Sequence, residues 1–526
     1  MNNVFNLYYL IKNNLIRQMR SYPFLIVIGL TIFLGYACVP AASSGYEVFY
    51  IGGVRGEYNS YWLGGMGAML SSLLLWLFGF YMLRSQVTDD QRLGVGQLIA
   101  SSPISNLRYI FSKTISNFVV LLAIETVLIV AFIIMQFIRG EDLSFQIGGY
   151  LYPILYIVFP SLALLAALTT FFDVCPGLKG VIGNIVFFFL WVFLGIIAIA
   201  SPNSYWDVFG LDVIRSDMLH DAASKYEFLK GSEEGGSFGY YPVDGKIQTF
   251  QWDGVDWNSE ILLTRFMWFG VAILFIVITA FLFKRFNTSH SQNGLLAKVN
   301  EFGKRSEVVL ETKQNNKQLI LTSITRSNRV SMLRMLKAEL LLMLKGFTIW
   351  WYVIAIGLIA FGLLVPLHIS KSWLPLIMIW PIAIWSQMIT REKFYHTDQI
   401  IISSCSPFYK FFSTWISGII VSFMISSGLL VKFILSGETE FLISWLCGIV
   451  FIPTLALALG IWSGSRKLFE VIYMLWWYLG PVNDIPYLDF LGLSTAQPMV
   501  YLALSVILLC VAIIGQQQKT GKLFSV

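Results

Sequence analysis

Ser85–Lys113 reads SQVTDDQRLGVGQLIASSPISNLRYIFSK, and Thr390–Trp415 reads TREKFYHTDQIIISSCSPFYKFFSTW. Both are polar islands in an apolar chain. Each opens on charged residues, passes through a short amphipathic segment and reaches a Ser-Pro pair, Ser102-Pro103 in one and Ser406-Pro407 in the other. A proline disfavours helical conformation in the residue before it, so Ser102 and Ser406 mark places where a surface helix ends and the chain turns. One such loop reads as an ordinary solvated connection. Two at matching positions, each between the second and third apolar spans of its half, predict a duplicated membrane fold with a docking surface on one side.

The composition around these loops is that of a membrane protein. Of 526 residues, 56% are hydrophobic and 13% charged, against about 25% charged in a soluble domain. Apolar runs of roughly 20 residues, enough for a helix to cross about 30 Å of hydrocarbon, recur along the chain. Twelve are assigned, over 22–41, 62–83, 114–138, 149–172, 180–200, 262–283, 347–366, 374–389, 412–435, 442–462, 468–479 and 499–515. The eleventh is short, begins near Glu470 and reads either as a broken helix or as one continuing through Gly480-Pro481 with a kink. The expected fold is an all-α polytopic membrane protein of about 12 transmembrane helices in two six-helix repeats, residues 1–286 and 329–526, joined by a cytoplasmic linker at 287–328.

The segments ahead of spans one and seven extend the repeat. Phe5–Arg20 (FNLYYLIKNNLIRQMR) and Arg329–Lys345 (RVSMLRMLKAELLLMLK) each place apolar residues along one side with basic residues for the headgroups, the pattern of an interfacial elbow helix. With the N-terminus inside, the inner segments hold 27 of the 36 Lys and Arg residues, so both termini are expected in the cytoplasm. The charge of +6 is largely this bias rather than a nucleic-acid footprint. Absence of a leader and of paired cysteine spacings fits a bacterial inner membrane, and Cys38, Cys175, Cys405, Cys447 and Cys510 predict neither disulfides nor a metal site. Asn287-Thr288-Ser289 has the glycosylation spelling but falls on the inner side.

Outside, residues 201–261 hold 11 acidic and 4 basic residues among many aromatics, which predicts a small folded cap. Asp244-Gly245 and Asp253-Gly254 bracket KIQTFQW and suggest a short β-meander. The run from Arg55 to Trp62, just ahead of span two, reads as an interfacial aromatic belt.

With six spans per half, an elbow helix ahead of the first and the SSP and CSP loops, the chain resembles the permeases of ABC exporters of the type-2 class, as two permease halves fused. In that family the loop between spans two and three carries a coupling helix that touches the ATPase, and the segment between spans five and six forms an extracellular cap. The resemblance implies coupling roles for Asp89–Pro103 and Glu392–Pro407, with Asp89, Asp90, Arg92, Ser102 and Pro103 in the first loop and Arg391, Glu392, Lys393, Ser406 and Pro407 in the second. It also implies two copies of a separate ABC ATPase as partners, which would carry ATP and Mg, since no nucleotide-binding domain is present here. Gly515–Lys522 (GQQQKTGK) has one residue too many between its glycines for a P-loop and ends in Leu523. Leu435-Ser436-Gly437-Glu438 resembles part of the ABC signature but sits at an outer membrane boundary.

Inside the membrane, Glu125 lies mid-span in VLLAIETVLIV. An acidic residue there costs on the order of 2.5–3.5 kcal/mol on insertion scales. Two readings stand: a substrate or gating contact, or a hydrogen-bonded packing residue. Lys432 reads as a snorkelling anchor, and Arg265 likewise. The four histidines, His220, His290, His368 and His396, occur singly and make no metal-ligand spacing.

The function that the resemblance implies is an exporter permease with no catalytic residues of its own. An ion-coupled secondary transporter also has two six-helix halves, and Glu125 would be its coupling residue. A membrane enzyme acting on lipid-linked substrates would use the carboxylates of the outer cap.

Overall fold

The computed structural model describes residues 2–41, 44–200, 204–229, 237–243, 247–286, 332–395, 397–404, 406–437, 439–483, 485, 487–493 and 497–524. The linker expected at 287–328, with its Asn287-Thr288-Ser289 triplet, lies outside these residues, as do Asp244-Gly245, Glu438, His290, His396 and Cys405.

Among the described residues eight helices are long and apolar enough to cross a membrane, or ten if each of two bent pairs counts as one span. The fold is that of an all-α polytopic membrane protein. Two of the twelve expected spans are shorter helices, Ile369–Trp385 and Arg466–Trp477. The second of these continues through a π-helical turn, Tyr478–Val482, that carries Gly480-Pro481. Proline has no N–H to donate and a wide turn absorbs its ring, so the helix is neither straight nor broken there.

In the first part of the chain, α1 (Asn2–Met19) and α2 (Tyr22–Ala37) form one bent pair. Then come α3 (Ser60–Leu83), α4 (Gln86–Arg92), α5 (Val95–Ser101) and α6 (Asn106–Arg139). They are followed by α7 (Ile147–Pro153), α8 (Phe159–Val174), α9 (Val181–Ala200), α10 (Leu211–Lys225) and α11 (Ser259–Leu282). The second part runs through α12 (Met332–Leu344), α13 (Ile349–Leu364), α14 (Leu367–Ile379), α15 (Ile382–Trp385), α16 (Arg391–Phe394) and α17 (Asp398–Ser404). It ends with α18 (Pro407–Ser436), α19 (Thr439–Ser463), α20 (Arg466–Trp477) and α21 (Pro498–Phe524).

Local chemistry sets the bends. The α1–α2 pair turns by 67°, where Ser21 accepts from the Phe24 amide as N-cap and Pro23 occupies the first turn of α2. The α12–α13 pair turns by 106° at Gly346, whose φ of +128° is open to glycine and strained for any side chain. Packing then repeats: α6 carries α1 and α2 on its sides, α18 carries α12 and α13, α8 packs on α11, and α19 packs on α21. The two groups meet where α20 lies against α3 and α9.

The outer region departs from the expected meander. β1 (Tyr46–Tyr50) pairs antiparallel with β3 (Ser237–Pro242), and β2 (Val54–Gly56) pairs in parallel with β4 (Gln248–Phe250). The strand within KIQTFQW thus finds its partner in the loop ahead of α3, almost two hundred residues earlier, rather than in a neighbouring hairpin. This also corrects the aromatic-belt expectation. Trp62 is fully buried and packs edge-on against Phe250 and Trp252, while Arg55 and Tyr58 are interior. These residues form the interior of this strand region, beside the β2–β4 pairing.

Candidate functional site at the two polar loops

The first loop begins with strain. Ser85 adopts a left-handed backbone (φ 72°), uncommon for a residue with a Cβ. Its amide donates to Asp173 Oδ1 at 2.8 Å, and Arg84 Nε approaches the same oxygen at 3.4 Å. The end of α3 is therefore tied to α8. After α4 the chain turns at Gly94, also left-handed, into α5. Ser102 closes α5 in an extended conformation, as the following proline requires. Arg285, just past α11, donates to the carbonyls of Ser102 and Ile104 and fastens the turn.

In the second loop the Ser-Pro pair plays a different part. Ser406 is the N-cap of α18 and Pro407 its first residue, the position where a missing N–H costs nothing. In the first loop that N-cap is Ser105, whose Oγ accepts from the Arg108 amide, so Pro103 lies ahead of the helix. The two Ser-Pro pairs thus bracket different sides of the same turn.

In each loop some of the charged residues, Asp90 in the first and Arg391 and Glu392 in the second, are turned inward. Asp90 has a side chain only 3% exposed. It pairs with Arg17 of α1 at 2.8 Å and Lys113 of α6 at 2.6 Å, and accepts from Tyr109 Oη at 2.7 Å. In the second loop, Arg391 lies 3.1 Å from Glu339 of α12. Lys410 of α18 pairs with Glu339 and, at 2.5 Å, with Glu392. Each network ties an elbow helix, a polar loop and the start of the next span, and leaves Asp90, Arg391 and Glu392 engaged within the chain.

Beside exposed polar residues such as Arg92 and Lys393, the loops also turn large apolar side chains outward. Leu98 on α5 is 72% exposed and Ile400 on α17 is 68% exposed. Leu93 and Tyr395 are also well exposed. These residues are absent from the set expected from sequence, which favoured charge. The signal was present as Gln97-Leu98-Ile99 and Gln399-Ile400-Ile401, the same triplet pattern ahead of each Ser-Pro.

The loops meet each other. Arg92 stacks on Phe394 at 4.8 Å and Arg466 lies 5.8 Å from the same ring. Asp89, Arg92, Arg391 and Lys393 all line one cavity of about 250 Å³. Above it, Lys467 of α20 donates to the Arg84 carbonyl, Arg84 Nη1 bonds Asn184 Oδ1 at 2.5 Å, and Asn184 Nδ2 donates to Glu470. Phe188 and Phe189 of α9 pack on Tyr478 and Trp477. A second cavity, about 550 Å³, opens at the far end of this seam among Phe189, Lys371, Pro375, Trp477 and Pro481.

Glu125 is 2% exposed. Ser71 is the polar neighbour of its carboxylate, and the Ser71 hydroxyl also reaches the Ala68 carbonyl at 3.1 Å. Glu125 lines none of the cavities described here. Lys432 caps the end of α13 by donating to the Val365 carbonyl and, at 3.3 Å, to Ser370 Oγ, a helix C-terminus favourable to a cation. Arg265 donates to the Asp207 carbonyl. Among the described residues no group of three or more His, Cys, Asp or Glu side chains could hold a metal ion.

In the cap, Arg55 bonds Glu47 at 2.8 Å and Glu141 through both terminal nitrogens at 2.8 Å. Burial works against the charge on Arg55, but the Glu141 hydrogen bonds and the fields of Tyr58 and Glu47 outweigh it and hold the guanidinium above its ordinary pKa. Burial likewise pushes Glu141 up, yet Arg55 prevails and its carboxyl titrates below its usual range.

No protein-family model, curated protein or solved structure matches this chain.

Proposed function

We propose that the chain is the membrane permease subunit of an ATP-driven transporter resembling the type-2 ABC exporters, placed in a bacterial inner membrane with both termini cytoplasmic. Two copies of a separate ATPase, which bind ATP and Mg, dock on the two polar loops. The observation that carries this reading is the pair of short surface helices, α5 and α17, each presenting an exposed aliphatic residue, Leu98 and Ile400, from a loop anchored by buried ion pairs. Docking needs an apolar contact on a rigid mount, and both loops supply one.

The repeated packing of α1, α2 and α6 against α12, α13 and α18 supports two six-helix repeats around a seam of α3, α9 and α20. In this mechanism ATP binding draws the docked subunits together. The ion-pair networks that tie each loop to its elbow helix and next span pass that displacement to the spans as rigid-body motion, since packed helices shift between discrete arrangements. The cavity of about 550 Å³ at the far end of the seam is then one limit of the transport path. The alternative of ion coupling through Glu125 would need that carboxylate to reach the path, and it lines neither that cavity nor the one between the loops.

The test is co-purification of MgATP-hydrolysing activity from native membranes with wild type and with Leu98→Asp/Ile400→Asp. The expected result is activity bound to wild type and lost from the variant, with unchanged thermal stability. Gradient-driven uptake by a purified chain that carries no ATPase would overturn the reading.

A further inference from the structure

We infer that the loop end of the seam holds one anionic membrane lipid, headgroup between the two polar loops and an acyl chain along α2. This inference does not rest on the ATPase reading.

The cavity of about 250 Å³ is lined by Arg92, Arg391, Lys393, Arg466 and Lys467, with Asp89 as its acid. Arg391 is matched by Glu339; Lys467 donates to the Arg84 carbonyl and lies in the field of Asp173 and Asp89, and Arg466 in that of Glu470. Arg92 and Arg466 approach the same Phe394 ring. Lys393 is exposed and reaches over Gly464, where a Cβ would strike its ammonium. So many cations around so small a space repel one another, and the arrangement is complementary to an anion such as a phosphodiester.

A free anion would leave the other half of the feature unused. Ser465 and Lys467 also line a third cavity of about 270 Å³, whose remaining walls are mostly apolar, with Ile26 and Leu30 on α2 and Leu468 and Ile472 on α20 among them. From Pro23 to Leu30 this groove follows α2 for about two turns, on the order of 10 Å. Basic pockets between membrane helices bind anionic headgroups, and the joined apolar groove supplies the place for a chain. The occupant would touch α2, α3 and α4 on one side and α16 and α20 on the other, and would brace the seam.

The test uses the purified full chain in a neutral detergent. Thermal unfolding is measured with phosphatidylglycerol, with phosphatidylcholine of the same acyl chains, and with inorganic phosphate. Phosphatidylglycerol alone is expected to raise the midpoint saturably. Lys393→Ala/Arg466→Ala is expected to weaken that effect about fivefold per cation removed. Ile472→Trp, which fills the groove, is expected to weaken the phosphatidylglycerol effect as well. Lys393→Ala alone, on an exposed side chain, keeps the test readable if the double variant fails to fold. An equal shift with phosphatidylcholine, an equal shift with phosphate, or a phosphatidylglycerol effect untouched by Lys393→Ala each overturns the inference.

Discussion

The two loop clasps join the same three elements, with a loop carboxylate on a span lysine in both (Asp90–Lys113, Glu392–Lys410) and with the elbow–loop pair reversed in sign. In the first, a loop carboxylate, Asp90, draws cations from the elbow (Arg17) and from the third span (Lys113). In the second, a carboxylate also sits on the elbow as Glu339, while the loop supplies Arg391 and the span supplies Lys410. The joint is kept, and the elbow and loop exchange charges while the span keeps its lysine. A buried ion pair requires opposite charges in contact, and nothing in that requirement says which element carries which sign. Aligning the loops residue by residue therefore hides the correspondence that packing reveals.

The clasps also differ in redundancy, and mutation should expose it. Asp90→Ala leaves Lys113 buried without its acid, and a loss of about 3–5 kcal/mol is expected, read from thermal unfolding in detergent. A loss near zero would mean that the first clasp is only a contact. Glu339→Ala should cost less, about 1–3 kcal/mol, because Lys410 retains Glu392 at 2.5 Å. The Glu339→Ala/Glu392→Ala pair should then approach the cost of Asp90→Ala, and failure to do so would break the parallel between the halves.

A third ion pair, in the cap, gives a smaller and pH-dependent contrast. Glu141 is 39% exposed, so its link to Arg55 is partly screened and worth under about 1 kcal/mol. Its folded pKa lies below the ordinary value, which makes the contribution fully present above about pH 4.3 and lost as pH falls through the folded value. Melting curves of wild type and Glu141→Gln should differ at neutral pH and converge in acid; a gap that persists would assign the effect to packing.

The smallest effect is expected at Glu125. Removing a bonded buried polar group costs about 1–3 kcal/mol, whereas a glutamine in place of Glu125 keeps an oxygen beside Ser71, its polar neighbour. Glu125→Gln should therefore lose no stability and leave transport and its pH dependence intact. Loss of transport with unchanged stability would restore it as a functional residue.

The membrane class, the places of most long helices, the two bent elbows and the paired loops were legible in composition and spacing. They depend on runs of neighbouring residues, and apolar length and proline geometry act locally. The cap strands, the interior of Arg55–Trp62 and both clasps were not legible. Each depends on residues brought together across long stretches of chain, such as Val54–Gly56 beside Gln248–Phe250 or Glu339 beside Lys410.

The loops show the same division in one place. Sequence determined that two polar segments with Ser-Pro turns lie between apolar spans, because hydrocarbon excludes charged backbone loops and proline ends a helix. Only tertiary packing decided that Asp90, Arg391 and Glu392 turn inward while Leu98 and Ile400 face out. Burial of a charge is stable when an opposite charge is already there, and that charge is delivered by another element of the fold.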